Sequence, residues 1–163
     1  MNIETVNIDT ITFDPANARK HSIKNLDAIK ASLTRFGQQK PIVIDSNGVV
    51  RAGNGTLMAA KALGWSTISV VRSSLQGSEA TAYAIADNRS AELAEWDDDA
   101  LAQTLAALQI EDEELVIATG FDANEIDKML APCEFAPASI EDQGRLDQKK
   151  PIRCPKCGYE FTI

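Results

Sequence analysis

Gly53-Asn54-Gly55-Thr56 stands between a short apolar run and an alanine- and leucine-bearing stretch, so a strand is expected to run into a helix through a glycine turn. Two glycines permit a sharp bend and close backbone approach. The helix that follows offers unpaired N–H groups and the positive end of its dipole, which suits a phosphate. Gly53, Asn54, Gly55, Thr56 and Leu57 are therefore candidate phosphate ligands, through main-chain amides and the Thr56 hydroxyl, with Arg19 as the neutralising cation. A purely steric role for Gly-x-Gly is equally open from the spacing alone.

Three further groups carry chemistry. Asp87-Asn88-Arg89 puts a polar triplet into an alanine-rich stretch, and Asp87 and Arg89 are the candidate catalytic pair. His21, the single histidine, lies beside Arg19 and Lys20, where it could touch a phosphate or carry a proton near neutral pH, although a loop histidine usually does neither. Without a second histidine or a clear carboxylate cluster, the sequence does not by itself assemble a metal-dependent nuclease centre, and Asp14, Asp45 and Asp87 are the acids to test first. Cys154-Pro155-Lys156-Cys157-Gly158 has the form of a zinc knuckle, two thiolates two residues apart on a tight turn. Zn2+ needs four ligands, so three arrangements compete: a second knuckle from a twin subunit, a site using Cys133, or a degenerate knuckle without metal. Zinc shared between chains of a homodimer, or completed by a partner, is favoured.

The 163 residues, 44% of them hydrophobic, suffice for one core and a small appendage. No apolar run approaches the ~20 residues that span a bilayer. The three cysteines are odd in number and late in the chain, unlike a secreted disulfide framework, so a cytoplasmic protein with no membrane association is expected. Net charge is −8, but residues 1–75 carry +4 and residues 76–163 carry −12. The glycine turn lies in the positive half, where Lys20, Lys40 and Arg51 are the cations assigned to DNA contact. The acidic half would repel a duplex laid across the whole molecule.

These groups need a scaffold. A first strand is expected over residues 6–11, then a turn at Asp14-Pro15-Ala16-Asn17. Ser22 caps a helix with Ile23, Leu26, Ile29, Leu33 and Phe36 on one stripe, ended by Gly37. A hairpin over residues 41–50 feeds the glycine turn; the next helix stops at Gly64, and a strand follows over residues 67–71. Helices are expected over residues 79–93, from the acidic start at 97–99 to Leu108, over 113–119, and after the Asp122-to-Glu125 capping box. The expected class is α+β, a small mixed sheet with packed helices followed by a helical half. One domain should span residues 1–131, with its helical extension from about 78, a linker residues 132–150, and a knuckle-like tail residues 151–163.

Asn17-Ala18-Arg19-Lys20-His21, Phe36-Gly37-Gln38-Gln39-Lys40-Pro41-Ile42-Val43 and Ala52-Gly53-Asn54-Gly55-Thr56-Leu57, in that order, resemble the N-terminal domain of ParB-like proteins, a group that includes the sulfiredoxins. Ala86-Asp87-Asn88-Arg89 with Leu93-Ala94-Glu95-Trp96-Asp97 resembles the version encoded by phages, alone or fused to DNA methylases. The resemblance covers roughly residues 3–131. It implies a ParB/sulfiredoxin-like fold that holds a nucleoside triphosphate with Mg2+, a role in DNA metabolism, and in some members nuclease activity. In partition proteins the loop reads Gly-x-x-Arg, its arginine reaching the phosphates, and an upstream Asn-Pro-x-x-Arg closes the site. Here Thr56 replaces that arginine and Ala18 the proline. Sulfiredoxin chemistry uses a cysteine in the loop, and residues 53–57 contain none. A full partition protein would add a DNA-binding helix-turn-helix and a dimerisation tail, for which no residues remain. Two functions follow: a nucleotide hydrolase or DNA-nicking nuclease, or a non-catalytic adaptor for a DNA methylase.

Overall fold

The computed structural model describes residues 2–131 and 151–161. Its contacts group into two units, Met1–Ala131 and Pro132–Ile163. The linker expected over 132–150, and Cys133 with it, lies outside the described residues.

In the first unit the elements run β1 (Ile3–Asn7), a 3-10 turn (Ile8–Thr10), α1 (Ile23–Phe36), β2 (Ile42–Ile44), β3 (Val50–Ala52), α2 (Asn54–Ala62), β4 (Thr67–Arg72), α3 (Gly77–Glu92), α4 (Asp98–Glu111), α5 (Glu113–Thr119) and α6 (Ala123–Leu130). The tail adds β5 (Ile152–Arg153) and β6 (Glu160–Phe161). The four-stranded sheet has the order β1-β4-β2-β3. β1 runs antiparallel to β4, β4 parallel to β2, and β2 antiparallel to β3 with a register shift at Val43/Ile44. This is a mixed α+β fold, as the pattern of elements anticipates. Among the described residues no helix is long and apolar enough to cross a membrane.

Alternation along short strands supplies the core. Ile42, Ile44, Val50, Ile68 and Val70 turn to one face and meet Leu33 of α1 and Leu57, Ala59 and Ala60 of α2. Burying a side chain of this size contributes about 1.5–3 kcal/mol each. The first strand differs from its expected span, lying at Ile3–Asn7 rather than residues 6–11. Local polar bonds explain the shift: the Asn7 side chain accepts from the Asp9 N–H at 2.9 Å, and the Thr10 hydroxyl donates to the Asn7 carbonyl at 2.7 Å. These bonds bend residues 8–10 out of the ladder into one tight turn, and Ile8 and Ile11, three apart, enter the core instead.

Helix ends fall where their caps place them. The Ser22 side chain accepts from Asn25 N–H, and Gly37, at φ 67°, ends α1. The stripe of α1 is narrower than expected, because Ile23 (81% exposed) and Phe36 stay outside while Leu33 is buried. Gly53 caps α2 at φ 97°, a left-handed conformation, and a Cβ there would lie 2.6 Å from Ile42 Cγ2. Gly53→Ala should therefore lower stability by at least about 2 kcal/mol, the left-handed penalty plus displacement of Ile42. Equilibrium urea denaturation would check this, and an unchanged midpoint would contradict it.

α4, α5 and α6 bury a second cluster, Leu105, Val116 and Ile126, flanked by Leu101, Leu108, Phe121 and Met129. They join α1 closely: a Cβ on Gly120 would lie 2.9 Å from that of Ala28. Arg35 pairs with Asp112 at 2.7 Å and Lys24 with Glu125 at 2.6 Å. Asp122 and Glu125 form the expected capping box, and the bonds from Lys24 and the Asp122 N–H hold the Glu125 carboxyl below its usual range. α3 packs on β3, which brings its polar face to the end of the glycine turn.

Candidate functional site

A cleft of about 280 Å³ opens where β3 runs into α2. The turn contributes Gly53, Asn54, Gly55 and Thr56; the segment before α1 contributes Asn17, Arg19 and His21; α3 contributes Tyr83, Asp87 and Asn88; and Lys40, Pro41 and Arg51 complete it. N–H groups of Asn54, Gly55 and Thr56 occupy the first turn of α2, where a helix has no internal acceptors. The Leu57 N–H is already bonded to the Gly53 carbonyl at 3.0 Å, and its side chain is fully buried. Leu57 therefore belongs to the core, and the main-chain donors end at Thr56.

Each glycine has a steric duty as well. A Cβ on Gly55 would lie 2.7 Å from His21 Cε1 and 3.0 Å from Ile29 Cδ1, so glycine lets the imidazole lie against the helix terminus. His21 Nδ1 and Asn25 Oδ1 are 2.7 Å apart. With Nδ1 as donor, Nε2 keeps its lone pair for a ligand. Asn54 is not free, since its side-chain oxygen accepts from the Asp14 N–H at 3.2 Å.

Arg51 is spent beneath the turn. Its guanidinium donates to Asp45 through Nη2 (2.7 Å) and Nε (3.2 Å) and to Asp14 through Nη1 (3.0 Å). Both carboxylates are buried and accept main-chain bonds too, Asp45 from Asn47 and Val49, Asp14 from Ala16. Burial pushes the Asp45 carboxyl up, but the Val49 N–H, the guanidinium and the Asn47 N–H together hold it below its ordinary value. Arg51, expected among the DNA contacts, thus fastens the hairpin to the 14–16 turn, and Asp14 and Asp45 are consumed in the same triad.

Arg19 donates to Asn88 Oδ1 at 3.1 Å and approaches Glu92 at 3.5 Å, joining its loop to α3. Asn17 shapes that loop, accepting from the Arg19 N–H and donating to the Arg19 carbonyl. Asp87 faces the cleft together with Tyr83, whose hydroxyl is pushed up in pKa by burial and by the Asp87 charge. Arg89 does not join them. It lines a neighbouring cavity of about 640 Å³ with Lys20 and pairs with Glu92 at 3.5 Å. Residues two apart on a helix face different ways, so Asp87 and Arg89 cannot serve one point. Arg19 lines both cavities.

The structure therefore gathers Arg19, Lys40, Arg51, Gly53, Asn54, Gly55, Thr56 and Asp87 at one cleft and places Lys20 and Arg89 beside it. Asn17, Asn25, Tyr83 and Asn88 went unassigned in the sequence. The signal for one of them is helical spacing, since Tyr83 lies four residues before Asp87 on α3. Cys154 and Cys157 sit in the tail hairpin, and among the described residues no third ligand-type side chain joins them.

The sheet order and the helix that leaves its glycine turn define a ParB N-terminal-domain-like fold. The C-terminally truncated chromosome-partitioning protein ParB from Caulobacter crescentus, complexed with CTP-gamma-S, superposes with a TM-score of 0.68 at 16% identity, covering 79% of this chain and 77% of that one. The same protein complexed to the centromeric parS site gives a TM-score of 0.46 at 18% identity, over 77% and 69% of the two chains. In sequence, the chain is 36% identical over 55 residues to the ParB-like nuclease domain-containing protein YnaK of Escherichia coli (strain K12), spanning 34% of this chain and 63% of that protein, less than two thirds of its length. No family model matches the chain.

Proposed function

We propose that the cleft binds the phosphates of a nucleoside triphosphate, CTP first among the candidates, and that the protein uses this binding in DNA metabolism. The observation that carries the reading is convergence: free N–H groups of α2 and the cations Arg19 and Lys40 line one cavity of about 280 Å³. The partitioning protein of the same fold, complexed with CTP-gamma-S, supports the choice of nucleotide. Asp87 would oppose an anion unless a cation lies between them. Mg2+ is the hard cation that one carboxylate and phosphate oxygens suit, and Asp87 is the residue that would hold it. When bound, Mg2+ would neutralise phosphate charge. The chain's own part is to orient the phosphates on the amides and, through Arg19, to tie loop 17–21 to α3 as the site fills. Hydrolysis or DNA nicking would draw on His21 Nε2 or Asp87 to take a proton from water.

The second reading is a non-catalytic adaptor for DNA or for a DNA methylase. Thr56 in place of the loop arginine favours it, as do exposed Ile85, Leu93 and Trp96 on an acidic helical half, a surface suited to protein contact. Thermal-shift titration with CTP, ATP and GTP, each with and without Mg2+, separates the two, run beside a supercoiled-plasmid nicking assay. CTP with Mg2+ at a hundredfold excess over Kd should stabilise the chain by about 2.7 kcal/mol. Gly55→Asp, which puts a side chain against His21 and a negative charge in the cradle, should remove that shift, and Asp87→Asn should remove its dependence on Mg2+. Absence of a shift with every nucleotide, together with an intact plasmid, would leave the adaptor.

A further inference from the structure

β5 and β6 pair antiparallel, Ile152 opposite Phe161 and Arg153 opposite Glu160. The turn between them is closed by the Cys154 N–H on the Tyr159 carbonyl and the Gly158 N–H on the Cys154 carbonyl, both at 2.9 Å, with Gly158 left-handed at φ 73°. Cys154 is partly exposed and Cys157 exposed, three residues apart around this turn. Two thiols carried by one closed turn form a preorganised two-thiolate grip. Arg153 and Lys156 add positive charge where thiolates would accumulate.

Two features of this hairpin are unfinished. Two strands alone are marginal in water, yet Ile152 (47%), Tyr159 (71%) and Phe161 (42%) stay exposed on it. Two sulfurs alone are half of a tetrahedral site, and among the described residues no third ligand-type side chain joins them. We propose that the tail is half of a zinc site completed by the tail of a second copy of this chain: Cys154 and Cys157 of both chains hold one Zn2+, and Ile152, Tyr159 and Phe161 cover their counterparts across a twofold axis. Each thiol gives its proton to solvent as the metal binds. An identical copy answers both shortages at once, because it brings two sulfurs in the same geometry and an apolar face of the same size.

The full chain, stripped with chelator and kept reduced, is titrated with Zn2+ and with Co2+ while its mass is followed by light scattering. Roughly one metal per two chains is expected, with a doubling of mass that chelator reverses and a tetrahedral thiolate spectrum for Co2+. Cys154→Ser and Cys157→Ser should each weaken binding about a hundredfold or more and abolish the doubling, with helical content by circular dichroism unchanged. Cys133→Ser should alter neither. One metal per chain lost on Cys133→Ser, metal bound without a change in mass, or no metal bound at all would each overturn the proposal.

Discussion

Arg51→Met is expected to lower the stability of the folded chain at pH 7 by about 3 kcal/mol, the cost of leaving buried carboxylates without their cation. Asp14 and Asp45 keep 5% and 7% of their side-chain surface, and Arg51 keeps 18%, so solvent cannot replace the guanidinium. Against a total of about 5–15 kcal/mol, a loss of this size moves the urea midpoint by roughly 1–2 M. Acid should narrow the gap. In the wild type the Asp45 carboxyl is held low, so its contribution is complete above the unfolded carboxylate range and disappears as pH falls through the folded value. In the variant, burial remains while the guanidinium is gone, so the folded pKa rises and protonation relieves the buried charge. Wild type therefore loses stability towards acid while the variant loses less, and the two curves converge. Arg51→Lys should rescue only in part, since an ammonium cannot reach Asp45 and Asp14 with the fork that holds both. Denaturation midpoints at pH 7, 5 and 4 check this. Equal stability at pH 7, with a loss of DNA affinity instead, would return Arg51 to the surface role that its charge first suggests.

What the sequence reveals and what it hides divide along the range of the interactions. Ser22 and Gly37 mark the ends of α1, and Asp122 with Glu125 the start of α6, because a cap is made within four residues and its partners are readable from neighbouring letters. The turn from β3 into α2 is readable for the same reason. Arg51 is hidden, because Asp14 lies 37 residues away in sequence and nothing local announces the pairing. β1 is displaced by bonds that are local but compete with the ladder, so alternation alone misplaces it. Asp87 and Arg89 are a different kind of miss. Their divergence follows from helical geometry once α3 is accepted, as does the loss of the Leu57 amide once Gly53 is taken as the cap. Assembly of the cleft from segments far apart in sequence, among them residues 17–21, 40–43, 51–56 and 83–88, follows from the resemblance rather than from any periodicity.

Thr56→Arg is expected to tighten CTP binding ten- to a hundredfold. Thr56 lies in the first turn of α2 and lines the cleft, at the position where the ParB-like resemblance implies a phosphate-binding arginine. A charge-assisted bond to phosphate contributes about 1.5–3 kcal/mol, or one to two decades in Kd. Two effects oppose the gain, and both are smaller. A cation in the first turn works against the helix dipole by about 0.3–1 kcal/mol, a term that lowers the stability of the unbound chain and that a bound phosphate reverses. Asp87 is the other: facing the same cleft, it can capture the new guanidinium before the ligand does, and an exposed pair of that kind is worth about 0–1 kcal/mol. The margin favours the phosphate. Calorimetric titration with CTP and Mg2+ at two salt concentrations measures it: the variant should bind more tightly, and its affinity should fall more steeply with salt, since one more charge contacts the ligand. Thr56→Arg combined with Asp87→Asn separates capture from failure. If the single variant gains nothing but the double gains in the absence of Mg2+, Asp87 holds the arginine; if neither gains, no phosphate lies at the turn, and the cleft serves some ligand other than a nucleotide.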